Sequence, residues 1–372
     1  MKLLRTDEAP DPAQDPDHLS ALGGVSRRTH GFSVPVRDLI LRIILTMVVG
    51  MIPLRTPSAG PVIPKTSRFC RNAVVATSLV LVGVTLSSCG SPAAVSSGVI
   101  RAVGAENQYA NVLAQIGGRY VSVRAIMSNP STDPHTFEVS TSVAQLISTA
   151  QLVVQNGVGY DAFMNRLESA SPSSSRDVID VQTLEGLSNN TKNPHLWYKP
   201  STMPRVAKAI AVDLTKLQPG HARYFATRLS VFSKSVNSLT VAVATFKKKY
   251  KGVRVATTEP VADYLLQALG LLNVTPFRFQ ADVMNGIDPS PEDIAFQQDL
   301  LTHRKVRVFL YNEQVSSPVT VSLQSLAKSS GVPIVAVYET MPTPGYDYQS
   351  WMLAEIAALT RALSTSRSTV RI

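Results

Sequence analysis

From about residue 98 onward the chain alternates short, continuously apolar runs with longer stretches whose apolar residues recur every three or four positions. The short runs Ile100–Gly104, Val121–Ala125, Leu152–Gln155 and Val178–Val181 read as buried strands. Asn107–Ile116, Ser140–Ala150, Asp161–Leu167 and Thr202–Leu217 read as helices. After residue 250 the rhythm resumes, with strands expected at Val253–Thr257, Thr275–Phe279, Val306–Tyr311 and Ile334–Tyr338. Helices are expected there at Pro260–Leu269, Pro291–Arg304, Ser317–Ser329 and Tyr346–Leu363. Ser290, Pro291 and Asp293 supply an N-cap, a first-turn proline and a capping acid, and Gly331 follows the next helix as its stop. Strand and helix alternation of this kind predicts an α/β fold with small, mostly parallel sheets flanked by helices.

Between the two series the rhythm breaks. Ala222, Phe225, Leu229, Phe232, Val236, Leu239, Val243 and Phe246 are spaced by threes and fours, the mark of one amphipathic helix over residues 221–250. At 1.5 Å per residue it would reach about 45 Å, longer than one small domain needs. We read it as a strut joining two lobes, 98–220 and 251–366. The same stripe also suits an ordinary core helix or a coiled-coil partner.

The first 97 residues change the picture. Arg68 and Arg71 precede a 14-residue apolar stretch, Ala73 to Leu86, too short to span a bilayer but of signal-peptide length. It ends in Leu86-Ser87-Ser88-Cys89, which resembles the lipobox of bacterial lipoproteins, where cleavage before the cysteine leaves an acylated N-terminus. Residues 65–88 are therefore expected to be a signal, Cys89 the lipidated residue, and 89–97 a small-residue tether. The alternative is a buried cysteine in an uncleaved helix. Residues 1–64, with a second apolar stretch from Leu39 to Leu54, are expected to be either a membrane-associated extension or the product of an initiation site set too far upstream, the true start being Met51 or a non-Met codon.

Composition then narrows the function. The 372 residues are 44% hydrophobic and 17% charged, which suits a globular chain. The formal charge is +10, but residues 1–88 hold 10 of the 36 basic and 6 of the 26 acidic residues, leaving a mild +6 for the rest. The one basic run, Lys247-Lys248-Lys249, has no interleaved aromatics and reads as a solvated helix end, so nucleic acid is not an expected partner. With only Cys70 and Cys89, neither a disulfide framework nor a cysteine zinc site can be built.

Two of the six histidines share a context, Asp133-Pro134-His135 and Asn193-Pro194-His195. Proline before each one favours a loop, and a matched pair of loop imidazoles in one lobe suggests a metal site. His221 and His303 are expected to be solvated. The stretches Asp133-Pro134-His135-Thr136-Phe137-Glu138, Asn156-Gly157 with Asp161 and Phe163, and Asn193-Pro194-His195-Leu196-Trp197 resemble the zinc and manganese solute-binding lipoproteins of ABC transporters, over about residues 98 to 366. The resemblance implies two α/β lobes joined by one long helix, with one metal ion in the cleft and two ligands from each lobe. Carried over residue by residue, it implies His135 and His195 from the first lobe and Glu259, in Thr257-Thr258-Glu259, from the second. The fourth position, usually Asp after the last strand, is occupied here by Glu339.

That resemblance further implies an extracytoplasmic protein held to the cell membrane through Cys89, a monomer delivering its cargo to a permease and its ATPase. Two imidazoles and two carboxylates without a thiolate suit Mn(II), Fe(II) or Zn(II), with manganese favoured because Glu259 stands where zinc receptors generally carry a third histidine. Glu259 also admits a plainer role as a carboxylate at the N-terminus of the following helix. Competing functions are a metal-binding surface adhesin or storage lipoprotein and, last, a zinc hydrolase. The hydrolase lacks support because the chain has no HExxH pair, no GxSxG elbow and no nucleophilic cysteine in the expected mature chain.

Overall fold

The computed structural model of the protein describes residues 98–129, 137–342 and 344–372. The expected signal, Cys89 and His135 lie outside them. Strands β1 (Ile100–Glu106), β2 (Val121–Met127), β3 (Leu152–Gln155) and β4 (Asp177–Asp180) form a parallel sheet in the order β2-β1-β3-β4. The intervening helices are α1 (Asn107–Gly117), α2 (Thr141–Thr149) and α3 (Phe163–Ala170), followed by the short α4 (Val181–Leu184) and by α5 (Thr202–Leu217). The α/β expectation for this half holds, with boundaries shifted by a few residues at most. Gly104 sits where a Cβ would collide with the Ala110 backbone of α1, so only glycine lets the helix lie this close to β1.

Helix α6 (Ala222–Tyr250) is the 29-residue rod expected from the three-and-four spacing. Phe225, Phe232, Val236, Leu239 and Phe246 along its stripe are buried, and Leu229 and Val243 pack partly buried against the same core. Burying each large apolar side chain stabilises the fold by about 1.5–3 kcal/mol. Those contacts are made to α1, α5 and the last helix, α11 (Tyr348–Thr365), within one chain. Lys247, Lys248 and Lys249 are exposed in the final turn, where positive charge suits the negative end of the helix dipole.

The second sheet repeats the topology of the first. Strands β5 (Arg254–Thr257), β6 (Leu272–Asn273), β7 (Phe309–Asn312) and β8 (Ile334–Val337) pair in parallel in the order β6-β5-β7-β8. Around it lie α7 (Asp263–Ala268), α8 (Phe277–Met284), α9 (Pro291–Thr302) and α10 (Pro318–Ser329). Ser290 caps α9 by accepting from Asp293 N at 3.1 Å, as expected, and Gly331 adopts φ +71° just beyond α10.

One expected strand is wrong. Residues 275–279 contain no strand; the strand is the two-residue β6, and helix α8 begins at Phe277. Thr275 turns the chain by bonding its hydroxyl to Thr257, and Pro276 precedes the helix. Buried Phe279, Gln280, Val283 and Met284 then recur at helical spacing, so Phe277 and Phe279, taken for alternation, belong to a first helical turn.

In each sheet the chain leaves the inner strand for one edge and returns on the other side, so the order reverses between β1 and β3 and again between β5 and β7. Open parallel sheets form their ligand crevices beyond the carboxyl ends of the strands at such reversals.

Candidate metal site

His195 lies just after Pro194, ahead of a turn of 3-10 helix at Leu196–Tyr198. Asn193 holds it twice, its Oδ1 accepting from His195 N at 3.0 Å and from Nδ1 at 2.8 Å. Because that oxygen can only accept, Nδ1 is the donor in this bond, which turns Nε2 toward Glu339. Nε2 is buried and, among the described residues, has no hydrogen-bond partner; it stands 3.5 Å from Glu339 Oε2. A buried imidazole nitrogen without a hydrogen-bond partner beside a carboxylate is an arrangement that a cation would complete.

The loop carrying this histidine is held from below. Asn156, at the end of β3, donates to Pro194 O at 2.8 Å and accepts from Tyr109 OH at 2.6 Å. Asp161 accepts from Asn156 N and Gly157 N at 2.6 and 2.9 Å, which accounts for the Asn-Gly and Asp of the sequence motif. Burial pushes the Asp161 carboxyl up to about 6 although both backbone bonds oppose it. Glu106, at the end of β1, is fully buried, and burial together with the Asp161 charge holds its carboxyl well above the usual range.

On the opposite side, Glu259 follows β5 and Glu339 follows β8, and both are buried. The plainer role for Glu259, a carboxylate at the N-terminus of the following helix, does not hold: α7 starts at Asp263, so Glu259 lies outside its first turn. Asn312, the last residue of β7, donates from Nδ2 to Glu339 Oε1 at 2.6 Å and to Glu259 Oε2 at 3.2 Å. Tyr160 donates from its hydroxyl to Glu339 Oε2 at 2.9 Å, and burial with the nearby Glu339 charge keeps that phenol well above its usual pKa and protonated.

The structure thus brings His195, Glu259 and Glu339 to one place. His195 adjoins Glu339 directly, and Glu259 joins through Asn312; among the described residues no three metal-binding side chains meet at ligand spacing. His135, the fourth expected member, lies outside the described residues, although Phe137 packs on Phe163 with ring centroids 4.9 Å apart. His303 is exposed and pairs with Asp299 at 2.9 Å, as a solvated residue would. His221 departs from that expectation, being half-buried and stacked on Tyr120 at 3.8 Å.

Sequence reasoning missed Tyr160, Asn312 and Gln314. It also missed the contacts that tie one lobe to the other at the site. Asn107 donates to Met341 O at 2.8 Å and accepts from Met341 N at 2.9 Å; Tyr198 OH bonds Tyr338 O at 2.9 Å. Asn193 Nδ2 donates to Pro260 O at 2.8 Å, linking the His195 loop to the residue after Glu259. The available signal for Asn312 was its position at the carboxyl end of a strand beside the reversal.

Comparison with known proteins agrees with this fold. The family model described as ZnuA, zinc-uptake complex component A, periplasmic, matches residues 103–362. The manganese ABC transporter substrate-binding lipoprotein PsaA of Streptococcus mitis is 22% identical over 272 residues, covering 68% of this chain and 84% of that protein. Among solved structures, the SBP FpvC of Pseudomonas aeruginosa in complex with Ni2+ is similar with a TM-score of 0.60 at 24% identity, covering 73% of this chain and all of that one. The periplasmic zinc binding protein TroA of Treponema pallidum is similar with a TM-score of 0.61 at 19% identity, over 72% of this chain and 99% of that one.

Proposed function

This chain belongs to the periplasmic zinc-uptake complex component A family, and from that premise we propose that it is the extracytoplasmic solute-binding lipoprotein of an ABC transporter, capturing one divalent transition metal for uptake. The single observation that carries the reading is His195 Nε2: buried, without a hydrogen-bond partner among the described residues, and 3.5 Å from Glu339 Oε2. Its ligands are His135, His195, Glu259 and Glu339, two from each lobe, so that the ion bridges residues 98–220 and 251–366 across the cleft. The members of the family named above are binding components, and an open coordination position for hydrolysis has no role in this reading.

Manganese is the proposed cargo, with iron and zinc as the alternatives. Two carboxylates among four ligands, and no thiolate, make a harder donor set than imidazole alone would give. A similarity to PsaA, named for manganese, supports the same choice, whereas similarity to TroA, named for zinc, supports the alternative. Glu339 in place of the family's usual Asp adds a methylene to the side chain at this position. Cys89 is the proposed lipid anchor, and the partners are a permease and its ATPase.

Cellular uptake tests the cargo. Deleting the gene should lower cellular manganese, and added manganese should restore growth under metal limitation. A fall in zinc, with zinc alone restoring growth, would transfer the assignment to zinc. Purified protein from residue 90 onward should bind one equivalent of metal by elemental analysis; absence of binding by any of manganese, iron or zinc would reject the reading.

A further inference from the structure

We infer that Asn312 is a specificity-determining positioning residue, a brace that holds the two glutamates apart and limits how far the site can contract around a smaller ion. The inference rests on the reading of Glu259 and Glu339 as ligands.

The sheet order places β7 between β5 and β8, so Asn312 ends the strand flanked by the two that lead to the glutamates. Its amide nitrogen has two hydrogens, and both are used, one on Glu259 Oε2 at 3.2 Å and one on Glu339 Oε1 at 2.6 Å. The amide cannot turn over, because its Oδ1 accepts from Gln314 N at 3.1 Å and rotation would set oxygen against two carboxylates.

The brace is itself anchored to both ligand segments. Asn312 N donates to Thr258 Oγ1 at 3.1 Å, next to Glu259. Gln314 Oε1 accepts from Glu339 N at 2.6 Å and Thr340 N at 2.9 Å, while its Nε2 donates to Thr340 Oγ1 at 2.7 Å. All of these groups are buried, where hydrogen bonds are costly to break and leave no water to replace them. The two carboxylates are therefore tied to one amide before any ion arrives.

Raw affinity of nitrogen and oxygen ligands favours zinc over manganese, so a site that takes manganese must discriminate by geometry. Zinc is the smaller ion and draws its donors closer. Drawing Glu259 and Glu339 together requires the Asn312 bonds to bend or break, whereas a larger ion fits the braced spacing. Partners of metal ligands commonly change affinity by 10–100-fold when removed.

The test compares zinc and manganese dissociation constants, by competition with a chromogenic chelator, in the protein from residue 90 onward and in its Asn312→Ala and Asn312→Ser variants. Asn312→Ala should raise the ratio of zinc to manganese affinity at least tenfold. Asn312→Ser, keeping one donor, should fall between it and the unsubstituted protein, and serves if the alanine variant does not fold. A ratio within twofold of the original in the folded variants, with both affinities reduced alike, would show only a structural role and overturn the brace. Failure of the unsubstituted protein to bind either ion would instead reject the ligand assignment on which the inference stands.

Discussion

Tyr160, carried by the first lobe, donates a 2.9 Å hydrogen bond to Oε2 of Glu339, carried by the second. The same oxygen lies 3.5 Å from His195 Nε2, so one carboxylate atom is addressed from the opposite lobe by both a phenol and an imidazole. Replacing Tyr160 with Phe should remove the hydrogen bond with little change in ring packing against Trp197. We expect three- to tenfold weaker metal binding, seen mainly as faster release to a chelator in stopped-flow, and a loss of about 1–2 kcal/mol of stability. An unchanged release rate would separate Tyr160 from the site.

Metal should raise the melting temperature of the protein by mass action, about 2.7 kcal/mol at a hundredfold excess over Kd. His135→Ala, His195→Ala, Glu259→Ala and Glu339→Ala should each abolish most of that shift, measured by differential scanning fluorimetry. Retention of the full shift in any of them would remove that residue from the ligand set.

Cys89→Ala should release the protein from the membrane, because acylation at that residue is the proposed anchor. Phase partitioning in Triton X-114 reads the outcome: the substituted protein should move to the aqueous phase. Continued partitioning into detergent would place the anchor elsewhere in the chain.

Glu355, fully buried on α11, has its carboxyl pushed up to about 8 by burial, against the opposing bonds from Tyr198 OH and Trp351 Nε1. A folded pKa above the unfolded one means the native state holds a proton that the unfolded state gives up. Stability from this group is present in full below about pH 4.5 and is lost as pH rises to about 8. Glu355→Gln keeps an acceptor for both donors and has nothing to ionise. In urea unfolding of the metal-free protein it should match the unsubstituted chain near pH 5 and exceed it by several kcal/mol near pH 9. A constant difference between the two pH values would show that Glu355 does not titrate in this range.

Much of the fold was legible because the signals were local and periodic. The stripe from Ala222 to Phe246 could only be one helix, and Leu152–Gln155 is a strand with the bounds expected of it. Thr275–Phe279 misled because two phenylalanines one residue apart look the same at the start of a helix as on one face of a strand. At the site, the prolines before His135 and His195 and the acids following apolar strands were visible as residue types in telling places. Asn312 was visible only as a polar residue closing an apolar run, because its role depends on which strands lie beside β7, and lateral order leaves no trace in spacing along the chain. Tyr160 was hidden for the same reason, since its partner is 179 positions away.

The two bonds between the Asn107 side chain and the backbone of Met341 imitate one rung of a β-ladder, formed by a side chain across the cleft. Met341 is two residues from Glu339, and so short a piece of chain transmits displacement nearly as a rigid link. Pulling this rung apart would therefore be expected to draw the carboxylate away from His195 without anything having to reach an ion bound there. Under the proposed function, unloading would become a matter of leverage: a docking partner that pried the two halves open would do mechanical work on the coordination sphere from outside it.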